Sequence, residues 1–261
     1  MAADRARQDA QTAFVLHSYP FRETSLVAEI FARDAGRIAL VARGARRPKS
    51  ALRGSLLAFQ PLALSWFGKN ELRTLHRAEW LGGLPMLHGE ALICGFYLNE
   101  LLLKLLARDD PHPLLFDTYR DALQELAGAG EYAPILRRFE KRLLQELGYA
   151  LTLTHDARNG AEIEADRQYT YVMERGAMPV APDDGKEKKV ESGGLELGGK
   201  AGGKPLLVEV SGKTLLDMAH DDYSDELTLQ QSKLLMRAII DHYLGAQSLN
   251  TRQLMKDLRQ L

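Results

Sequence analysis

The hydrophobic period of this chain changes once, at the GGLP stretch of residues 82–85, and that change bounds the folds open to it. Before it, TAFVLHSY, TSLVAEIFAR, GRIALVARG, LLAFQPLALSWF and ELRTLHRAEW are short runs rich in β-branched, leucine and aromatic residues. Turn material separates them: PFRE, DAG, a basic stretch holding Pro48 and Gly54, and FGKN. Short runs bounded by Gly, Pro, Asn and Asp read as strands. Five of them within about 70 residues predict a small closed barrel, for which the five-stranded OB-fold is the commonest solution. An SH3-like barrel satisfies the same pattern. In the last strand, alternation puts Arg73, Leu75 and Arg77 on one face, with Leu72, Thr74 and His76 on the other.

After residue 85 the period is helical. Residues 88–108 are apolar nearly all round, as in the central helix of a bundle. A second helix begins near Pro113, a suitable first-turn proline, and runs to about Ala127. A third, PILRRFEKRLLQELG, closes at Gly148. Helices return at 214–219, at 226–244 before Gly245, and at 250–260, where Asn250 is the expected N-cap. RQYTYVMERG reads as a strand and turn. DDGKEKKVESGGLELGGKAGGK, residues 183–204, has little to bury and reads as a mobile loop. The expected fold class is therefore α+β. A five-stranded OB barrel over 1–82 precedes a helical domain over 83–153 and 206–261, with a small irregular insertion at 154–205.

The net charge of −1 conceals a segregation. Residues 1–82 hold 13 Lys+Arg against 7 Asp+Glu, whereas the remainder holds 21 against 28. No acid occurs from Ala35 to Asn70, a span that contains Arg37, Arg43, Arg46, Arg47, Lys49, Arg53 and Lys69. Such asymmetry points to a polyanionic partner for the basic part. Arg46, Arg47 and Lys49 flank Pro48 in a loop leaving a strand, and Arg73 and Arg77 extend the charge to the last strand. A barrel with a basic face is how OB-folds track a nucleic-acid backbone. The bland reading is a solvated loop. Candidate base-stacking aromatics are Tyr19, Phe21, Phe59, Trp66 and Phe67. Trp66 and Phe67 beside the FGKN turn are the favoured pair, although each such ring is more often core. Six phosphate contacts on single-stranded DNA would give a log–log salt slope of roughly −4.

Catalytic and metal motifs are weak. GGKAGGKP has P-loop spacing, but Pro205 stands where a metal-ligating Ser/Thr is needed. EVSGKTLL has Leu207 in place of the first glycine. Both read better as turns and a helix start. The seven histidines are dispersed, and the HDD of 220–222 reads as a helix-end cluster rather than a cation site. The single Cys94, in the apolar ALICGFYL, reads as a buried small hydrophobe, suits a reducing cytoplasm and allows no intrachain disulfide. MAADRARQDAQTAF has no apolar h-region, so export is not expected. ALICGFYLNELLLKLLA is broken by Asn99, Glu100 and Lys104, so no membrane span is expected. No enzyme and no cofactor are implied.

The segment AFVLHSYPFRETSLVAEIFARDAGRIALVARGARR resembles the N-terminal OB domain of the RecO family of bacterial recombination mediators. The likeness continues through FYLNELLLKLL, LRRFEKRLLQELGY and SKLLMRAIIDHYLGAQSLNTRQL. It implies a non-enzymatic, nucleoid-associated protein that binds single- and double-stranded DNA and anneals complementary strands. It implies partnership with RecR and contact with single-stranded DNA-binding protein (SSB), so that RecA is loaded on SSB-coated DNA. Many members carry four cysteines as a zinc site between the helices. LTHDARNGAEIEADRQYTYVMERGAMPV has none, so no structural zinc is expected. The resemblance places the arginine that binds the acidic SSB tail at Arg137. Around it, Leu136, Phe139 and Lys141 have the apolar-plus-basic character such a tail demands. The alternative for this helix is core leucines under solvated arginines. Rival functions are an RNA-binding OB module, a nucleotide hydrolase built on SGKT, and a purely structural adaptor.

Overall fold

The computed structural model describes residues 7–52, 54–128, 130–180 and 207–258. The chain forms two compact units, residues 1–150 with 243–261 and residues 151–242.

The first unit opens with five strands: β1 Arg7–Phe21, β2 Ser25–Ala32, β3 Gly36–Ala42, β4 Leu62–Phe67 and β5 Leu72–Trp80. They close in the order β1-β2-β3-β5-β4, with β3 and β5 parallel and the other pairs antiparallel. This is the OB arrangement, and the parallel β3–β5 closure excludes a simple meander. Alternate residues fill the barrel: Val15, Ala28, Ile30, Ile38, Leu40, Leu62, Leu64, Trp66 and Leu75 form one buried cluster. The fourth strand is shorter than LLAFQPLALSWF suggested. Phe59 lies at a left-handed φ of 63°, and Pro61 has no N–H for a ladder, so pairing starts at Leu62.

A bulge in β5 also overturns the reading of its faces. Leu75 pairs with Trp66 but Arg77 pairs with Ser65, leaving His76 as the extra residue. Arg73, opposite Leu40, continues the inward row of Leu75; Arg77 falls on the outer row. An extra residue in one strand inverts the facing of everything beyond it.

Three helices follow: α1 Gly89–Leu105, α2 Pro113–Gly128 and α3 Tyr132–Glu146. The barrel packs on them within this unit. Phe14 and Phe31 meet Phe116 of α2 with ring centroids 5.3 and 5.4 Å apart, and Tyr119 stands edge-on to Phe14 at 5.1 Å. Asn99 of α1 donates to the Leu16 carbonyl at 2.9 Å and accepts from the Tyr119 hydroxyl. α3 ends as expected at Gly148. With φ at +84°, Gly148 lets its own N–H reach the Gln145 carbonyl and the Tyr149 N–H reach Leu144, closing a Schellman motif.

The second unit holds β6 Gln168–Val172, β7 Gly176–Pro179 and β8 Leu207–Ser211, ordered β7-β6-β8. It also holds α4 Gly212–Ala219 and most of α5 Glu226–Leu244. These helices cluster with the small sheet. The reason is local. β8 runs directly into α4, whose N-cap Ser211 accepts from the Thr214 N–H, and Gln231 of α5 accepts from Ser211 and Thr214. The SGKT stretch is therefore a helix start. Asp156 organises the turn of residues 156–159, accepting from the N–H groups of Arg158 and Asn159 at 2.8 and 2.9 Å.

The last helix, α6 Asn250–Leu258, returns to the first unit. Its N-terminal N–H groups are received by Glu100 of α1, from Asn250 at 2.8 Å and Thr251 at 2.9 Å. The cap thus comes from α1 rather than from Asn250. Glu100 is also bonded by the Thr251 hydroxyl and paired with Lys104. The candidate mobile loop and the GGKAGGKP motif lie outside the described residues. Among the described residues no helix is long and apolar enough to cross a membrane.

Candidate nucleic-acid interface

The basic run leaves β3 at Ala42 and is held as a chain of turns. The N–H groups of Ala45, Arg47 and Ser50 reach the carbonyls of Ala42, Gly44 and Arg47. Ala45 is buried in the barrel cluster and pins this loop, while Arg43, Arg46, Arg47 and Lys49 are exposed. The Arg46 N–H donates to the Thr24 carbonyl at 2.8 Å, and its guanidinium to the Glu23 carbonyl at 3.3 Å. The β1–β2 turn therefore lies against this loop and adds Arg22, whose guanidinium sits 5.2 Å over the Phe21 ring. Arg22 escaped sequence reasoning because Glu23 beside it masked the local charge.

The parallel register of β3 and β5 places the remaining cations. Ala39 pairs with Leu72 and Val41 with Thr74, so β5 runs on past the end of β3 and carries Arg77 to the loop's end of the barrel. The same register sets Lys69, exposed on the β4–β5 turn, alongside the start of β3, at the opposite end. Lys69 does not join the loop. Nor does Arg37. Its guanidinium is bonded to Glu29 on the neighbouring strand at 3.3 Å and to the Leu106 carbonyl at 3.1 Å. Burial pulls Arg37 below the ordinary guanidinium value, against the opposing field of Glu29. Arg73 is bonded to Asp109 and is mostly covered, while Arg108 also pairs with Glu29. Arg77 pairs with Glu79, but both are widely exposed, and such pairs hold little. Arg53 lies outside the described residues.

Trp66 is corrected outright. It is 1 % exposed, inside the barrel, and has no face to offer a base. Phe59 is likewise buried, with Phe96 edge-on at 5.0 Å. The exposed Tyr and Trp rings on the barrel, among the described residues, are Tyr19, on the outer row of β1, and Trp80, whose indole N–H donates to Gln60 at 3.0 Å.

On α3 the four expected tail-binding residues separate by depth. Leu136 and Lys141 are half-buried at the surface. Phe139 is buried against Tyr119. Arg137 is 8 % exposed and donates at 2.6 Å to Glu140, which also accepts from the Tyr97 hydroxyl at 2.6 Å. Burial pushes the Glu140 carboxyl up, against the opposing Arg137 charge. Among the described residues, Arg137 Nε and Glu140 Oε2 have no hydrogen-bond partner.

Nucleophile and metal candidates do not converge. Burial pushes the Cys94 thiol up to about 11, so it stays protonated. Lys213 of the SGKT stretch is bonded to Asp217. Asp222 accepts from Ser224, and among the described residues no group of three or more His, Cys, Asp or Glu is placed to hold a metal ion.

A closed OB barrel with a cationic loop pair, continued into a helical domain, matches known proteins along the whole chain. Residues 8–84 match the family model described as recombination protein O N terminal, and residues 86–253 the model for its C terminal. The chain belongs to the RecO family. It is 56 % identical over 261 residues to the DNA repair protein RecO of Nitrosospira multiformis, covering all of both chains. It is 52 % identical over 259 residues to that of Aromatoleum aromaticum, covering 99 % of this chain and 100 % of the other. The RecO protein of an Azoarcus species is 51 % identical over 260 residues, 99 % of this chain and 100 % of its own. Membership of a DNA repair family thus rests on full-length similarity.

Proposed function

We propose that this RecO family member binds single- and double-stranded DNA at the loop end of its barrel and anneals complementary strands there, without catalysing a covalent step. The observation that carries this is the exposed set Arg43, Arg46, Arg47 and Lys49, none of them ion-paired among the described residues. Arg22 and Arg77 extend the set. Exposed cations on a rigid β scaffold release phosphate counterions on binding and screen two strands that would otherwise repel. The Ser211 hydroxyl caps α4, the Thr214 hydroxyl donates to Gln231, and Cys94 is a neutral thiol, so the SGKT stretch and the cysteine are engaged in structure.

In the same reading, α3 receives the acidic C-terminal tail of SSB, with Leu136 and Lys141 at the surface and Arg137 and Phe139 behind them. Capture of the tail raises the local concentration of the barrel at SSB-covered DNA. With RecR, this places the protein on the nucleoid as the helper that loads RecA.

Annealing of complementary oligonucleotides, bare and SSB-coated, at 50 and 200 mM salt tests the scheme. Annealing of bare strands should weaken steeply with salt. SSB lacking its last residues should abolish annealing of coated strands and spare bare ones. Equal loss on both, or no salt response, overturns it.

A further inference from the structure

We propose that Tyr19, with His17 beside it on β1, is a platform on which unpaired bases stack, so that the loop end of the barrel distinguishes single-stranded from duplex DNA. The proposal rests on the DNA-binding reading above. It assigns base contact to β1 of the barrel, where sequence reasoning favoured Trp66, now buried, and Phe67 over Tyr19.

Strand pairing fixes where these rings stand. Tyr19 is opposite Val27 and His17 opposite Glu29, while Ala28 and Ile30 point into the barrel, so both rings stand on the outer surface. They are exposed, Tyr19 by 43 %, with ring centres 6.1 Å apart and planes inclined by 31°. Beside them Val27, which pairs with Val41, and Ala39 form a small buried apolar cluster against which Phe21 packs. Two exposed rings, held over a buried apolar cluster and flanked by cations, are complementary to a strand whose bases are open and whose backbone is anionic. Duplex DNA offers the phosphates but keeps its bases stacked inside.

The charges around the rings suit this occupant. From Phe21 the strand turns directly into Arg22 and then into the turn that Arg46 grips. Opposite His17 the carboxylate of Glu29 is engaged by Arg37 and Arg108, so it presents no free charge toward a phosphate. Base stacking on an aromatic ring is sequence-tolerant, as a protein that anneals arbitrary strands requires.

The experiment compares three probes of equal length by fluorescence anisotropy: a mixed-sequence single strand, an abasic single strand and a duplex. Tyr19→Ala should weaken the single strand about 10-fold and leave the abasic strand and the duplex unchanged. Tyr19→Phe should retain wild-type affinity. A Tyr19→Trp variant should show emission quenched by the single strand and not by the abasic one, beyond any change in the wild-type protein. Equal loss on all three probes, or no loss on the single strand with no quenching, overturns the platform. Failure of the underlying reading shows differently: neutralising Arg46 and Arg47 would then leave every probe unaffected.

Discussion

The two ends of the barrel carry similar numbers of arginines and put them to opposite uses. Where β3 begins, Arg37, Arg73 and Arg108 are each bonded to a carboxylate, Glu29 or Asp109. The 106–110 segment is drawn tightly onto the sheet there. The Asp109 N–H donates to the Arg37 carbonyl at 3.1 Å, and a side chain at Gly36 would come within 2.2 Å of the Asp110 carbonyl oxygen. Where β3 ends, Arg43, Arg46, Arg47 and Lys49 stand in solvent without ion partners among the described residues. A cation spent on seating the barrel against its helices is unavailable to a ligand. Apart from Lys69, the barrel cations that face a polyanion are therefore gathered at one end.

The largest expected effect lies at the sealed end. Arg37→Ala leaves Glu29 buried with Arg108 as its remaining partner. Removing one member of a buried pair should lower stability by about 3 kcal/mol. Urea denaturation measures it, and the affinity and salt slope on DNA should stay at wild-type values. A large loss of affinity with intact stability would mean that Arg37 contacts DNA and that the two ends are not distinct.

The next effect belongs to the open end. Replacing Arg46, Arg47 and Lys49 by Ala should leave the denaturation midpoint within experimental error, because none of the three is buried. It should weaken single-stranded DNA binding roughly 30-fold at low salt and flatten the log–log salt slope by about 2, the share of three phosphate contacts. An unchanged slope would remove this loop from the interface.

The contrast between the ends also explains what was legible in the sequence. The barrel and the helices were, because strand and helix periods are local properties of the chain. The loop cations were legible too, since a run with no acid nearby in sequence needs no tertiary information. Pairing was not. Glu29 and Asp109, which occupy Arg37 and Arg73, are 8 and 36 residues away from them along the chain. Nor was the bulge at His76, which separates Arg73 from Arg77. Trp66 failed as a stacking candidate for a related reason: its place beside a turn suggested exposure, but its register with Leu75 puts it inside. Arg137 was singled out by the resemblance, but its burial against Glu140 was not legible, because it depends on the packing of α1 and α3.

The smallest effect tests whether a carboxylate can likewise be given over wholly to holding structure. Burial alone would raise Glu100, but bonds from Lys104, the Thr251 hydroxyl and the N–H groups of Thr251 and Asn250 outweigh it and hold the carboxyl below its ordinary value of 4.5. A depressed carboxylate contributes stability that is fully present above its unfolded value. That contribution is lost as pH falls through the folded one. Docking of α6 should therefore be intact at neutral pH and weaken progressively below about pH 4.5. Glu100→Gln can still accept a hydrogen bond but brings no charge to the positive end of the helix, so it should cost about 1 kcal/mol at pH 7. Amide exchange at Asn250 and Thr251 reads this directly. In the wild type it should quicken as the acid is protonated; in the variant it should already be fast at pH 7 and add no such step. The same variant should bind DNA normally, because Glu100 lies on α1 and contacts none of the loop cations. If DNA affinity falls together with α6 docking, the division between structural and ligand-facing charge extends less far than the barrel suggests.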